Sequence, residues 1–230
     1  LIKTVSKIET ILADKLGNWK SRNKALILLQ KIIAHPGLKN IPAYETQLYR
    51  LAEALSVQLT ELRSTVVRQV CLTLKVISEH MRENLGVIGE RCVPVLLSLT
   101  GNRIGIISKS ANSCIRTIIK SWEGGSAVIL HSIVDSSGPK CDKVTRARCQ
   151  QYFLDALQLW PKRCFKKDYS KFSELIFRSI TDRSDKVRYL ARKSFWAFVA
   201  HFPKAQDHIA SRLSSSDQER LFAEKVNSSG

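Results

Sequence analysis

The chain has 230 residues and a formal net charge of +17, with 44% hydrophobic and 25% charged residues. Those proportions are ordinary for a folded domain and argue against a disordered or fibrous protein. No apolar run approaches the roughly 18 residues of a membrane span, and the first residues do not resemble a signal peptide. Because the sequence begins with Leu1 rather than Met, we expect a monomeric module of a longer chain.

The positive charge is unevenly distributed along the chain. Residues 140–204 hold sixteen Lys and Arg against six Asp and Glu, a net +10. Such a surface attracts an acidic protein, a nucleic acid or an anionic membrane, and charge alone does not choose between them.

Hydrophobic periodicity predicts helices along almost the whole chain and no strand. Glycine and proline breaks delimit most of them. The predicted helices are residues 2–16, 20–34, 44–60, 65–81, 86–99, 104–121, 126–135, 142–159, 168–181, 185–201 and 203–213. We expect Leu16 to lie on the apolar side of the helix over residues 2–16. We expect a single domain over residues 1–213, followed by a polar C-terminal tail over residues 214–230.

A basic stretch that leads into an apolar helical stripe recurs along the sequence. Its copies are marked by Arg22, Arg68, Lys109, Arg146 and Arg188, at intervals of 46, 41, 37 and 42 residues. HEAT and armadillo repeats have periods of about 40–47 residues. The sequence therefore predicts an all-α HEAT-repeat solenoid, with about five to six helical hairpins stacked in one layer.

The short turns inside these hairpins should lie along one edge and carry mainly basic residues. Cations near helix N-termini oppose the helix dipole, at a cost of roughly 0.3–1 kcal/mol each. This predicts an edge that binds an extended acidic surface, although a strongly basic solenoid could carry such residues without function. Trp19 could instead cap the core, and Arg188 and Arg192 could bridge to acids on neighbouring helices. The turn residues are Trp19, Lys20, Arg63, Arg103, Ile104, Lys140, Lys143, Arg183 and Lys186.

Catalytic and metal-binding patterns are lacking in the sequence. No phosphate-binding loop, HExxH or GxSxG motif occurs, and the five histidines have no metal-ligand spacing. We therefore expect a protein that is not an enzyme and has no cofactor or metal. Cys71 and Cys149 fall on apolar stripes and are interpreted as small buried hydrophobic residues.

Residues 62–74 and 191–198 resemble the TOG domains of the CLASP family, most closely the second of them. Residues 18–22 are similar to the first-turn motif of that family, and residues 182–188 to its fifth turn. The resemblance covers about residues 3–213. It implies a TOG paddle of HEAT repeats.

The resemblance implies binding to the tubulin heterodimer or the microtubule lattice through the turns. Trp19 would be the apolar anchor, and Val66 would correspond to the second-turn valine. Such a module would promote microtubule rescue and suppress catastrophe in the cytoplasm, at plus ends and the spindle. The basic contacts would be Lys20, Arg63, Lys143, Arg183, Lys186 and Arg188. The third turn would contribute Arg103 and the apolar Ile104.

Two other functions remain open from the sequence. A basic HEAT protein that binds nucleic acid would use the same edge, show steep salt dependence and tolerate loss of Trp19. The resemblance argues against that alternative. A protein adaptor for acidic peptides would use a concave face with an Asn or Trp ladder, for which Asn112 is the only obvious candidate. Tubulin binding should instead depend on Trp19, because a buried aromatic anchor dominates many interfaces.

Overall fold

The structure, a computed structural model, describes residues 1–227, which contain α-helices and short 3₁₀ turns but no β-strand. The chain divides into two compact units, Leu1–Ser132 (unit 1) and Ile133–Gly230 (unit 2), and α8 crosses the boundary. The helices are α1 (Ile2–Ala13), α2 (Trp19–Ile33), α3 (Tyr44–Tyr49), α4 (Leu51–Leu59), α5 (Ser64–Met81), α6 (Gly86–Thr100), α7 (Gly105–Ser121), α8 (Ala127–Asp135), α9 (Lys143–Leu159), α10 (Arg163–Lys166), α11 (Tyr169–Ile180), α12 (Asp185–His201), α13 (Ala205–Ala210) and α14 (Ser215–Asn227).

Unit 1 consists of helical hairpins arranged in two layers. Helices α1, α4 and α6 pack side by side in one layer, the A layer, and α2, α5 and α7 form the other, the B layer. The two layers enclose an aliphatic core of Leu, Ile and Val side chains. Polar contacts also join neighbouring B helices: Gln30 donates to Thr73 at 2.8 Å, and Lys75 donates to Ser113 at 2.6 Å.

Unit 2 is built around α12, which packs against α9, α11, α13 and α14. Its core is aromatic where that of unit 1 is aliphatic. Phe153, Phe165 and Phe172 are fully buried, with ring centroids 5.6–6.3 Å apart. Such ring pairs add to the stabilisation that comes from burying their area.

Most of the predicted helices are confirmed, but the end of the first is wrong. Asp14 accepts hydrogen bonds from the backbone N–H groups of Leu16 and Gly17, at 3.1 and 2.9 Å, and these bonds begin a turn. The helix therefore ends at Ala13, and Leu16 is 98% exposed instead of lying on the apolar side.

Two other segments differ from the predicted helices. The helix predicted over residues 44–60 is interrupted at Arg50, between α3 and α4. Part of the predicted polar tail forms α14, where Leu221 is buried and its carbonyl accepts a hydrogen bond from the Trp196 indole at 3.2 Å. The predicted boundary at residue 213 stays a prediction.

The cysteines that fall on apolar stripes are buried, as the sequence predicts. Cys71 and Cys149 lie in the core, together with Cys92 and Cys114. Burial raises the pKa of the Cys92 and Cys149 thiols to about 12. These thiols therefore stay protonated near neutral pH and behave as small apolar groups.

A buried ion pair fixes the first two turns of unit 1. Arg22, the fourth residue of α2, is 1% exposed, and its Nη1 lies 2.7 Å from both Glu61 Oε2 and Gln58 Oε1. Glu61 Oε1 accepts hydrogen bonds from the backbone N–H groups of Leu62 and Arg63. Burial opposes ionisation of Glu61, but these bonds and the guanidinium outweigh it and lower its pKa.

Unit 2 contains an equivalent ion pair. Arg146, the fourth residue of α9, donates from Nε and Nη2 to the two carboxylate oxygens of Asp182, at 2.7 and 2.9 Å. Both side chains are 13% exposed. Asp182 Oδ1 also accepts the backbone N–H of Ser184 at 2.8 Å. In both units, an arginine near a helix start thus pairs with the acid of the following turn.

We expect Arg22→Met to lower the free energy of unfolding by about 3–5 kcal/mol, because it leaves the buried Glu61 carboxylate without its countercharge. The matched control is Arg50→Met. Arg50 pairs with Glu9 but is 45% exposed, and loss of a surface pair costs at most about 1 kcal/mol. Urea denaturation measures both. Equal losses for the two variants would contradict the structural role given to Arg22.

Acid should destabilise the protein partly through Glu61. Its folded-state pKa is lowered, so its contribution is complete above the ordinary value of 4.5 and disappears as pH falls through the folded value. Glu61→Gln should therefore show a smaller loss of stability below about pH 4.5 than the unsubstituted protein. Denaturation midpoints from neutral to acidic pH test this, with Glu9→Gln as the exposed control. Parallel curves for Glu61→Gln and the unsubstituted protein would show that Glu61 does not contribute.

Candidate functional site

The predicted binding residues lie in the turns between helices or near the start of the helix that follows each turn. Turns 1, 2 and 3 belong to unit 1, and turns 4 and 5 belong to unit 2. Turn 1 is residues 14–18, turn 2 is 60–63, turn 3 is 101–104, turn 4 is 136–142 and turn 5 is 181–184.

Turn 1 places Trp19 at the start of α2. The Asn18 side chain caps the helix by accepting the Lys20 backbone N–H at 2.9 Å. Trp19 is partly exposed, Lys20 is exposed, and the Lys20 ammonium lies 5.9 Å from the centre of the indole. A Cβ at Gly17 would stand 2.5 Å from the Asp14 carboxylate, so a larger residue there would displace that side chain. Turn 1 therefore presents an aromatic surface beside a positive charge.

Turn 2 presents a different apolar residue from the one predicted. Val66 is fully buried, because a helix that begins at Ser64 directs its third residue into the core. The expectation that Val66 meets a partner is therefore wrong. Leu62 is 89% exposed instead, next to the exposed Arg63. Leu62 lies between two charged residues at a break between helices, and that pattern could have identified it from the sequence.

Turn 3 exposes Ile104, the residue that precedes α7. The Asn102 side chain accepts the Ile104 backbone N–H at 2.8 Å, which fixes the turn. The Ile104 side chain is 49% exposed, and Arg103 beside it is also exposed. The structure thus places both predicted third-turn residues at the surface.

Turn 4 is held by Asp142, which caps α9. One carboxylate oxygen accepts the backbone N–H groups of Val144 and Thr145, at 2.8 and 3.0 Å, and the other accepts the Thr145 hydroxyl at 2.5 Å. The hydroxyl bond is the largest of the effects that lower the pKa of Asp142. Lys140 and Lys143 are exposed, so this turn presents cations.

Arg188 stabilises turn 5 from within the unit. Its Nη1 donates to the Asp182 carbonyl at 2.7 Å, and Nη2 pairs with the Asp185 carboxylate. Only 26% of its side chain is exposed. Arg188 therefore pairs with an acid of its own helix, not with an acid on a neighbouring helix.

The other predicted residues of turn 5 are at the surface. Arg183 and Lys186 are both exposed. The Lys186 ammonium lies 5.4 Å from the ring centre of Tyr189, and that of Lys193 lies 4.6 Å from the same ring. Cation–π contact holds these lysines along one helix face.

The turns combine apolar tips with uncompensated positive charge. The first turns of α2, α5 and α7 contain no acidic residue, so no acid of those helices neutralises the positive ends of their dipoles. At α9 the capping carboxylate of Asp142 does so. A surface with carboxylates around an apolar patch would complement this arrangement. Within the described residues, no cluster of His, Cys, Asp and Glu could hold a metal ion, and no helix is long and apolar enough to cross a membrane.

The chain is similar to known proteins over most of its length. The chain is 28% identical over 228 residues to CLIP-associating protein 1 of Xenopus tropicalis, covering 99% of this chain and 15% of that protein. It is also 28% identical over 204 residues to the CLIP-associated protein of Arabidopsis thaliana, covering 88% and 14%. The chain therefore spans about 15% of the length of these relatives.

Solved structures and a family model complete the comparison. The TOG domain of C. elegans Zyg9 has a TM-score of 0.68 at 16% identity, covering 98% of this chain and 87% of that one. A chain from a study of TOG–tubulin binding specificity has a TM-score of 0.60 at 15% identity, covering 90% and 77%. The all-α HEAT-repeat fold of TOG domains is thereby shown. The family model described as CLASP N terminal matches residues 1–221, and the chain belongs to that family.

Proposed function

We propose that this chain is a non-catalytic module that binds tubulin through its turns. The observation that carries the proposal is the pairing of exposed apolar residues with cations at the turns of unit 1, where the first helical turns lack acids. Membership in the CLASP N terminal family supports it, as does the similarity in fold to a chain from the study of TOG–tubulin binding specificity.

The proposed contacts differ from the sequence-based set at three positions. Val66 and Arg188 are left out, because the first is buried and the second is engaged within its own turn. Leu62 is added as the apolar tip of turn 2. The proposed contacts are Trp19, Lys20, Leu62, Arg63, Arg103 and Ile104 in unit 1, and Lys143, Arg183 and Lys186 in unit 2.

Each class of contact has its own part in binding. Burial of Trp19 and Leu62 against tubulin would supply affinity, because apolar side chains gain free energy in proportion to the area removed from water. The lysines and arginines would orient the approach to an acidic surface and raise the association rate. A larger protein with this module would act at the cytoskeleton, at microtubule plus ends and the spindle, favouring rescue over catastrophe.

Trp19→Glu should weaken binding to tubulin dimers at least about 30-fold, because hot-spot residues contribute 2 kcal/mol or more. Leu62→Glu should weaken it about tenfold or more, because it places a carboxylate where an apolar tip meets an acidic surface. Gel filtration with tubulin and microtubule co-pelleting measure both, with circular dichroism to confirm that each variant is folded.

Val87→Glu is the matched control for these two substitutions. Val87 is 55% exposed but lies at the start of α6, one helix length of about 20 Å from turn 3. It should bind tubulin as the unsubstituted protein does. Binding by folded Trp19→Glu that equals the unsubstituted protein would contradict the proposed contact surface. Absence of tubulin binding together with retained nucleic-acid binding would contradict the proposed function.

A further inference from the structure

Unit 1 distributes its charge unequally between its two helical layers. The B-layer helices α2, α5 and α7 contain nine Lys and Arg and a single acid, Glu79. The A-layer helices α1 and α6, with α3 and α4, contain three basic and four acidic residues. The basic residues of the unit 1 helices are therefore concentrated in the B layer.

The A layer neutralises its charges within itself. Arg50 pairs with Glu9, and Arg91 pairs with Glu53, so salt bridges link successive repeats across that surface. The B layer offers one carboxylate for eight basic side chains besides the buried Arg22. Its positive field is therefore not cancelled internally and extends into solvent.

Two neighbouring B helices carry the same surface pattern. On each of them a basic residue, a leucine and a second basic residue follow at i, i+4 and i+7, a spacing that places all three on one face. Leu28 and Leu72, the central residues, are 45% and 39% exposed. The stripes are Lys24, Leu28 and Lys31 on α2, and Arg68, Leu72 and Lys75 on α5.

The α2 stripe faces away from α5, because Leu28 and Lys31 line a separate pocket with Leu1 and Thr4. A groove of about 220 Å³ lies between α5 and α7, beside the α5 stripe. Arg68, Leu72 and Lys75 line one side, and Lys109 and Ser113 line the other. The Lys75 ammonium donates to the Ser113 hydroxyl at 2.6 Å, which holds it at the groove with two donors left for a ligand. The groove thus has cations at its sides and an aliphatic surface between them.

We propose that this groove binds an extended acidic peptide that runs between α5 and α7. Its carboxylates would pair with Arg68 and Lys75 on one side and with Lys109 on the other. An apolar side chain between those carboxylates would cover the exposed Leu72. Arg68 and Lys75 are seven residues apart on α5, which is about 10 Å along the helix axis, and an extended chain advances about 3.3 Å per residue. About three peptide residues therefore span the two basic side chains.

The chemistry of this surface fits a peptide better than a nucleic acid. Proteins that hold single-stranded nucleic acid stack its bases on aromatic side chains. The three B helices contain no Phe or Tyr, and their only Trp is Trp19 at the first position of α2. Aliphatic leucines offer no stacking platform but do suit the apolar side chain of a peptide.

The test measures fluorescence anisotropy of a labelled peptide of repeated Glu-Glu-Leu, titrated with the full chain at physiological salt. Arg68→Gln/Lys75→Gln should weaken binding at least about tenfold, because two charge-assisted contacts are lost. Lys3→Gln/Lys7→Gln removes the same charge from the exposed A-layer face of α1 and should change affinity less than about twofold. Leu72→Ser should also weaken binding, and circular dichroism confirms folding.

Trp19→Glu should bind this peptide as the unsubstituted protein does, so the surface is tested separately from the proposed tubulin contacts. Equal weakening by the A-layer and B-layer double variants would overturn the proposal, because net charge alone would then explain binding. No measurable binding of the peptide would also overturn it. Tighter binding of a single-stranded oligonucleotide of equal charge, lost in Arg68→Gln/Lys75→Gln, would identify a nucleic-acid surface instead and overturn the peptide assignment.

Discussion

The pairing of an arginine near a helix start with the acid of the following turn is the constraint on which turns 1, 2, 4 and 5 depend; the pair is buried in unit 1 and mostly buried in unit 2. In unit 1 the pair is Arg22 with Glu61, and in unit 2 it is Arg146 with Asp182. Each carboxylate also accepts backbone N–H groups of its own turn, so one interaction fixes both the packing of neighbouring repeats and the course of the loop. Because an unpaired buried charge is far more costly than a paired one, neither partner can be lost alone.

This arrangement determines what the turns present to solvent. Glu61, Asp142 and Asp182 are all engaged by local donors, so these carboxylates do little to neutralise the surface. Exposed lysines, arginines and apolar tips remain, at helix ends where the dipole is already positive. Placing cations at these helix ends is unfavourable, and the nearby acids Glu61, Asp142 and Asp182 offset only part of that cost. The resulting surface suits a partner that supplies carboxylates around an apolar patch. The proposed acidic-peptide surface on the B layer would extend the same charge complementarity to a second face of unit 1.

The sequence predicted the helices well, because hydrophobic periodicity indicates a helix and glycine and proline indicate its ends. Trp19 and most of the basic turn residues were also predicted, from their position just before apolar helical stripes, to lie at the turns. Leu16 was misplaced, because the hydrogen bonds of Asp14 end α1 before the hydrophobic period does. Val66 was expected to be the apolar contact of turn 2, whereas the structure exposes Leu62. Which of the two is exposed depends on the residue at which α5 begins. The burial of Arg22 was not predicted, because charged residues are mostly exposed and its partner lies in another hairpin.

The most direct test of the central claim is hydrogen–deuterium exchange of the chain with and without tubulin dimers. Backbone amides in the turns should exchange more slowly in the complex, particularly residues 14–20, 60–64 and 102–106 of unit 1 and residues 140–144 and 182–186 of unit 2. The A-layer helices α1, α4 and α6 should be unchanged. Protection of those helices with no change at the turns would contradict the account, because the partner would then bind a face whose charges are already paired.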